Sequence, residues 1–388
     1  MTLPMQDIRV LDLSRAVSGP YVGRALCDLG ADVVKVEWPG GDVSNAFGLH
    51  RAGRSGLYTQ MNAGKRSVAI DHRVESGAHL VRRLAENVDV VVENFRPGVL
   101  EASGLGYRQL SEQNRGLIML SISGFGQTGP EAQRRAFAPV IHAESGLLGR
   151  QAEVDSRSVT DLCLALADTL SGLHGTVAVL AALHARAQTG AGQHIDLSML
   201  DAMIASDDYA HNAIDEIYDI YPARGEVWDA PGGPIMVAAD SKTLWVKFSR
   251  HTGAEDADPA ASAEVKRDAR LAAFGAWLQS FDDRDVLLAQ LDAADLPWAD
   301  VRTTSTLLDS PTLVERDVFT FVDDHAGGQR GVVRMPYRFS DAECGVRGPS
   351  PLPGEHNASV LQDWLGLDAS EIEALAASGA LLDARSNR

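Results

Sequence analysis

Cysteine is scarce in this sequence: Cys27, Cys163 and Cys344 are the only three in 388 residues, and they lie far apart. That separation fits neither a disulfide framework nor the paired spacing of a zinc site, so a reducing, cytoplasmic compartment is expected and a metal is not. Positive charge is short as well. Lys and Arg number 35 against 53 Asp and Glu, a formal net charge of -18, which excludes a general nucleic-acid or anionic-membrane surface. The opening MTLPMQDIRVLDLS lacks the basic and apolar regions of a secretory signal. One apolar run, Cys163 to Leu183, has the length of a membrane span, but Asp168, His174 and several Gly, Ser and Thr residues interrupt it. It reads as a buried helix of a soluble protein. Three signatures are missing too: G-x-S-x-G, H-E-x-x-H and G-x-x-x-x-G-K-[ST]. Three common enzyme classes lose their usual mark with them.

What is present is a chain with 45% hydrophobic residues, enough for a substantial core, and long enough that two domains are expected. IRVLDLS predicts a strand, SGPYVGRALCDLG a helix opened by Ser18 and Pro20 and closed by Gly30, and ADVVKVE a second strand. RSVAID, a helix near 77–87, VDVVVENF, a helical turn after Pro97, and LIMLSISGFG continue the alternation. Nearly continuous apolar strands separated by helices predict an α/β fold with a parallel sheet covered on both faces. A helix-rich segment is expected over 143–187, then GQHIDLSML and a helix over 201–214. From 215 to 235 no clear period survives; IMVAADSKTLWVKFS predicts a hairpin, and the acidic, Ala-rich stretch after it a loop and a helix. Residues 220–330 are the expected smaller α+β domain, and 1–215 with 335–388 the large one. Two terminal helices are expected, the second capped by Asp368 or Ser370.

Several motifs bear on chemistry. GFGQTG at 124–129 matches G-x-G-x-x-G, but the dinucleotide fingerprint sits on the first βα turn with an acidic residue at the end of a second strand. Glu144 lies instead in a helical pattern, so a turn bringing backbone close to a ligand is the better reading. His142 and Glu144 could form an acid and base pair, yet two residues apart on a helix they point about 160° away from one another. Lys65, Arg66, Arg96, Arg134 and Arg135 all lie at expected strand-to-helix connections, where open α/β sheets bind ligands; together they predict an anion site within an acidic protein. Asp168, in LALADTLSGLHG, is the one carboxylate of its run. If a strand LCLALA precedes the helix, Asp168 is its N-cap, bonding the amide of Leu170 or Ser171. Ser171, Gly172 and Gly175 then make a face too small to cover it, open to a substrate.

The run of VLDLSRAVSGP, GADVVKVEWPGGD, NAGKRSVAID, VDVVVENFRPGVLEASGLGY, LSISGFGQTGP, LADTLSGLHG, TGAGQHIDLSMLDA and PLPGEH, in this order over nearly the whole chain, resembles the family III CoA-transferases, the CaiB/BaiF family. The resemblance implies a large Rossmann-like domain holding both termini, a smaller domain, and an interlocked homodimer. It implies that Asp168 is a nucleophile carrying CoA as an aspartyl thioester between an acyl-CoA donor and a carboxylic acid acceptor. Coenzyme A enters as substrate, and no tightly bound cofactor, nucleic acid or membrane is implied. Asn62, Ala63, Gly64, Lys65, Asn94, Phe95, Arg96 and Arg135 match positions that hold CoA, and Val17 and Trp38 belong to the same set. The formyl-CoA and oxalate branch has Gln, Arg and Tyr at the positions of Val17, Trp38 and Phe137, and its glycine-rich loop is reduced here to PGGP at 231–234. Oxalate chemistry is therefore disfavoured. The family's 2-methylacyl-CoA racemases place a His where this chain has Phe137, which disfavours racemase or isomerase activity unless His142 substitutes. A non-catalytic CoA-binding protein is the alternative from another class, disfavoured by the retained Asp168.

Overall fold

Strands that are apolar at every position need cover on both faces. Val10, Val33, Val90 and Ile118 are buried on one side of a sheet, while their neighbours Leu11, Val34, Val91 and Met119 are buried on the other. The computed structural model describes residues 2–217 and 225–382. Six strands form the central sheet: β1 (Arg9–Asp12), β2 (Asp32–Glu37), β3 (Arg66–Ala69), β4 (Val90–Glu93), β5 (Ile118–Ser123) and β6 (His194–Ser198). Their order is β3-β2-β1-β4-β5-β6 and every pairing is parallel. This is the doubly wound, Rossmann-type order, in which the direction of winding reverses between β1 and β4.

Helices α1 (Ser18–Asp28), α2 (Glu75–Glu86), α3 (Ala138–Glu144) and α4 (Leu166–Thr189) connect or cover these strands. Val22 and Leu26 of α1 with Val179 and Ala182 of α4 pack on one face. Leu80 and Leu84 of α2, joined by Leu361 and Trp364 from the helix Asn357–Leu365, pack on the other. The last helix, Ala369–Ala377, starts with a capping box in which Asp368 and Glu371 accept each other's backbone N–H groups.

Two expectations fail for local reasons. The segment over 143–187 is helix-rich as expected, with helices at Leu147–Val154 and along α4, but the stretch between them is exposed and LCLALA forms no strand. IMVAADSKTLWVKFS is not a hairpin but a strand, Ile235–Val237, followed by a helix, Ser241–Thr252. Asp240 caps that helix, accepting from the N–H groups of Lys242 and Thr243, and Leu244 and Phe248 bury its apolar stripe.

The chain separates into two compact units, Met1–Tyr218 with Asp317–Arg388, and Asp219–Arg316. The second is a three-stranded antiparallel sheet, Trp298–Asp300, Ile235–Val237 and Glu226–Trp228, with a core of Phe248, Phe274, Leu278, Leu287 and Leu291 from three helices. Its PGGP turn is pinned by Arg284, which donates to the carbonyls of Pro231 (2.5 Å) and Gly233 (3.0 Å). The expected domain boundary at 220 and the stretch beyond 382 lie outside the described residues.

Candidate active site

The chain leaves β1 at Asp12 and enters α1 at Ser18, and buried charges hold the loop between them. Lys65 Nζ donates to Asp12 Oδ2 at 2.7 Å, to the Pro20 carbonyl at 3.0 Å and to Asn62 Oδ1 at 2.9 Å. Lys35 Nζ donates to the Ser14 carbonyl at 2.9 Å and pairs with Asp42 at 2.8 Å. Asp42 accepts the N–H of Ala16 at 2.9 Å, at a residue whose φ of 65° is otherwise unfavourable for a side chain. Burial pushes the Asp12 carboxyl up, but Lys65 and Lys35 outweigh it and hold the group below the usual carboxylate range.

Lys65 thus has all three ammonium protons engaged and no exposed surface. Its ammonium holds the loop that follows β1. Asn62 and Ala63 are likewise fully buried, and Gly64 abuts Arg347 and Cys27; the structure does not bring the 62–65 turn into the cavity described next.

Where the winding reverses, the loops leaving β1 and β4 part and a crevice opens at the carboxyl ends of the strands. A cavity of about 240 Å³ lies there. Arg15, Ala16 and Ser18 line it from the β1 side, Asn94, Phe95 and Arg96 from the β4 side, and Asp168 from α4. Asn94 ties the two loops together: its Oδ1 accepts the Arg15 N–H at 2.9 Å, and its Nδ2 donates to the Arg15 carbonyl at 2.7 Å and to Ser18 Oγ at 3.2 Å. The Phe95 N–H donates to Glu93 Oε2 at 2.7 Å. Glu93 is buried without a cation beside it, and burial pushes its carboxyl up to about 7. The Arg15 guanidinium lies over the Phe95 ring at 5.3 Å. Among the described residues neither Arg15 nor Arg96 pairs its guanidinium with a carboxylate, although both line the cavity.

Val17 and Trp38 stand behind this wall rather than in it. Val17 is the residue before α1, and buried Trp38 donates from Nε1 to the Leu13 carbonyl at 3.0 Å while its ring meets Phe95 edge-on at 6.3 Å. Arg66 is taken up by Asp32 (2.6 Å) and Asp363 (2.8 Å). Arg134 lines the cavity but pairs with Glu131 (2.8 Å) and Glu144 (2.5 Å), while Arg135 is exposed and outside the lining. GFGQTG is a turn after β5 whose Gly124 lines the cavity and whose Gln127 N–H donates to Asp196 at 3.0 Å. The next helix begins only at Ala138, so no helix N-terminus meets a pyrophosphate there.

Asp168 is the third residue of α4, not its N-cap; Ala165 holds that position and offers no side-chain acceptor. The half-buried carboxylate accepts from both the N–H and the hydroxyl of Ser18, the first residue of α1. Burial pushes it up to about 6, with the Ser18 bonds opposing. The small residues that follow do not leave it bare. A Cβ on Gly172 would come within 2.6 Å of Tyr21, and one on Gly175 within 2.9 Å of Leu120 and 3.1 Å of Val22. They let α1 and α4 lie side by side with both N-termini at the cavity, where the helix dipoles favour negative charge. Arg15 and Ser18 are the residues that sequence reasoning missed, and their only signal was a position directly after the first strand.

Comparison with known proteins follows the same lines. The profile of CoA-transferase family III matches residues 5–357. The succinyl-CoA–D-citramalate CoA-transferase of Chloroflexus aurantiacus is 31% identical, covering 96% of this chain and 97% of its own. The succinyl-CoA:mesaconate CoA-transferase of Haloarcula hispanica is 30% identical over 95% and 98%. The crystal structure of a CaiB/BaiF family protein from Brucella suis superposes with a TM-score of 0.78 at 32% identity, covering 94% of this chain and all of that one.

Proposed function

The chain belongs to CoA-transferase family III, and from that premise we propose that it moves CoA from a dicarboxylic acyl-CoA of the succinyl-CoA type to a second carboxylic acid, with Asp168 as nucleophile. The observation that carries this reading is a single carboxylate, with no ion-pair partner among the described residues, held by Ser18 in a cavity lined by the guanidinium groups of Arg15 and Arg96, neither of which pairs with a carboxylate among those residues.

The Asp168 carboxylate attacks the thioester carbonyl and CoA leaves as thiolate, giving a mixed anhydride of Asp168 with the donor acid. The thiolate attacks the aspartyl carbonyl and releases the donor carboxylate, leaving an aspartyl-CoA thioester. An acceptor carboxylate attacks that thioester, expels the thiolate and forms a second anhydride. Attack of the thiolate on the acceptor's acyl carbon then yields the new acyl-CoA and restores Asp168. Water would hydrolyse either anhydride, and a half-buried nucleophile at the foot of a small cavity limits its access.

Asn94, Phe95 and Arg96 suit the CoA handle, with Arg135 on the surface beyond the cavity. Arg15 suits the second carboxylate of the acyl group. The relatives named above transfer CoA from succinyl-CoA, which carries such a group. Racemase activity is disfavoured by Phe137 at the cavity and by His142, whose two ring nitrogens are both engaged. An interlocked dimer in the cytoplasm remains part of the proposal. The exposed stripe Leu173, Val177 and Leu180 on α4 suits a partner chain, and the unpaired cysteines suit a reducing compartment.

Incubation with succinyl-CoA and no acceptor is expected to leave a covalent adduct on Asp168, trapped by hydroxylamine or borohydride and located by mass spectrometry of the peptide. Asp168→Ala is expected to fold and to transfer no CoA. A peptide that stays unmodified during turnover, or deuterium uptake at carbon 2 of a 2-methylacyl-CoA without transfer, defeats this reading.

A further inference from the structure

A helix start leaves its first N–H groups without intrahelical acceptors, and each buried one needs a partner. In α4 the Leu166 N–H reaches the Leu164 carbonyl at 2.9 Å and the Thr169 N–H reaches the Ala165 carbonyl at 3.1 Å. Ala167 is fully buried, and the N-cap residue has no side chain to serve it. Its N–H donates instead to His142 Nε2 at 3.1 Å, from a residue 25 positions earlier. A nitrogen that accepts carries no proton, so the ring proton sits on Nδ1 and is donated to Asp161 Oδ1 at 2.8 Å. Asp161 Oδ1 also accepts the Leu162 N–H at 2.8 Å. His142, only 1% exposed, therefore ties three segments together: α3, the exposed stretch ahead of α4, and the residue immediately before Asp168.

We infer that His142, oriented by Asp161, is a positioning residue that sets where Asp168 stands relative to the thioester; the inference rests on Asp168 as nucleophile. An Asp–His pair near a nucleophile suggests a general base, but here the distal nitrogen faces an amide N–H and has no proton to collect. A carboxylate nucleophile needs no base. What it needs is placement, since a shift of about 1 Å at the reacting atom can slow a step about a hundredfold. Ala165 leaves the first turn of α4 without a side-chain cap, and His142 supplies the missing acceptor from another helix.

Two substitutions separate the ring's two bonds. The amide of His142→Gln reaches the place of Nε2 and can accept the Ala167 N–H, whereas that of His142→Asn stops at the place of Nδ1 and serves only Asp161. Single-turnover formation of the Asp168 adduct from succinyl-CoA is expected to slow about a hundredfold in H142N and to stay within about threefold of wild type in H142Q, with the KM for acyl-CoA unchanged in both. Equal rates in H142N and wild type, or equal slowing of both variants in step with a lowered Tm, overturns the inference. If H142N does not fold, Asp161→Ala decides: slowed adduct formation at unchanged KM supports positioning, and a wild-type rate refutes it. Asp168→Ala run alongside keeps the two readings apart. An adduct that survives D168A defeats the nucleophile assignment itself, while a normal wild-type adduct formed as fast in H142N defeats the positioning role alone.

Discussion

Asp12 and Asp168 lie on either side of the β1–α1 loop and behave in opposite ways. Both are carboxylates taken largely out of water, and both accept bonds from a serine: Asp12 from Ser14 N–H at 3.0 Å, Asp168 from Ser18. Asp12 has Lys65 at 2.7 Å and is held below the usual range. Asp168 has no ion-pair partner among the described residues and is pushed up to about 6 by burial. The difference teaches what separates a structural carboxylate from a reactive one. A lysine that compensates the buried charge also occupies the lone pairs and lowers basicity, and with it nucleophilicity. A carboxylate left without a cation keeps both, and remains ionised near neutral pH.

The largest effect is expected on the structural side. Lys65→Met leaves Asp12 buried and unpaired, which should destabilise the protein by about 3 to 5 kcal/mol. Urea unfolding of the variant checks this, and a loss below 1 kcal/mol would remove the distinction between the two carboxylates.

Glu93 offers a second carboxyl with no cation paired to it among the described residues, and it does not line the cavity. Its folded value of about 7 lies above the ordinary 4.5, so the folded state binds more protons between those values and stability is fully present below pH 4.5 and falls as pH rises through 7. The loss amounts to about 3 kcal/mol by pH 8. Glu93→Gln keeps an acceptor for the Phe95 N–H and removes the titration, so the decline of Tm from pH 5 to 8 should flatten. Asp12 runs the other way, stabilising above the ordinary carboxylate range and losing that contribution as pH falls. Unchanged pH dependence in E93Q would show that a missing cation does not govern these groups.

The cavity arginines come next. Arg96→Ala should weaken CoA binding by about 1.5 to 3 kcal/mol, as for a lost charged hydrogen bond, with little change in Tm. Arg15→Ala should fall by a similar factor in kcat/KM for succinyl-CoA and hardly at all for a monocarboxylic acyl-CoA. Calorimetry and a paired substrate assay read these out. A fall in stability without a fall in affinity would place either residue with Lys65 instead.

The smallest effect concerns Asp168 itself. Because it attacks as the carboxylate, kcat/KM in the wild type should rise with pH and level off above about 6. Ser18→Ala removes the hydroxyl donor but keeps the N–H, so the acid limb should move to higher pH. An unmoved limb would assign it to another group.

The reading from sequence went furthest where structure is local. Gly30 with φ of 106° just past α1, the capping box at Asp368, and the strand runs through Val10, Val33 and Val91 are set by backbone conformation and burial period. The Asp240 cap was equally local, yet the apolar stretch around it hid the helix. Arg96 and Asp168, both in the cavity lining, were legible because their charge stands out from apolar neighbours, whereas Asn94 and Phe95 came from the resemblance alone.

By itself the sequence determined that strands and helices alternate, that β-sheet faces are covered twice, and that one carboxylate sits alone in an apolar run. Tertiary structure alone decided which charges are free. Lys65, Arg66 and Arg96 look alike at strand ends in the chain, but Asp12 lies 53 residues from Lys65 and Asp363 lies 297 from Arg66, and no partner of Arg96 lies among the described residues. Periodicity reports burial within a few residues, whereas these pairings depend on the strand order that sets β3 beside β2 and β2 beside β1, and on the packing of the helix Asn357–Leu365. The same holds for Ser18 against Asp168 and for His142 under Ala167. A partner supplied through space leaves no spacing to read along the chain.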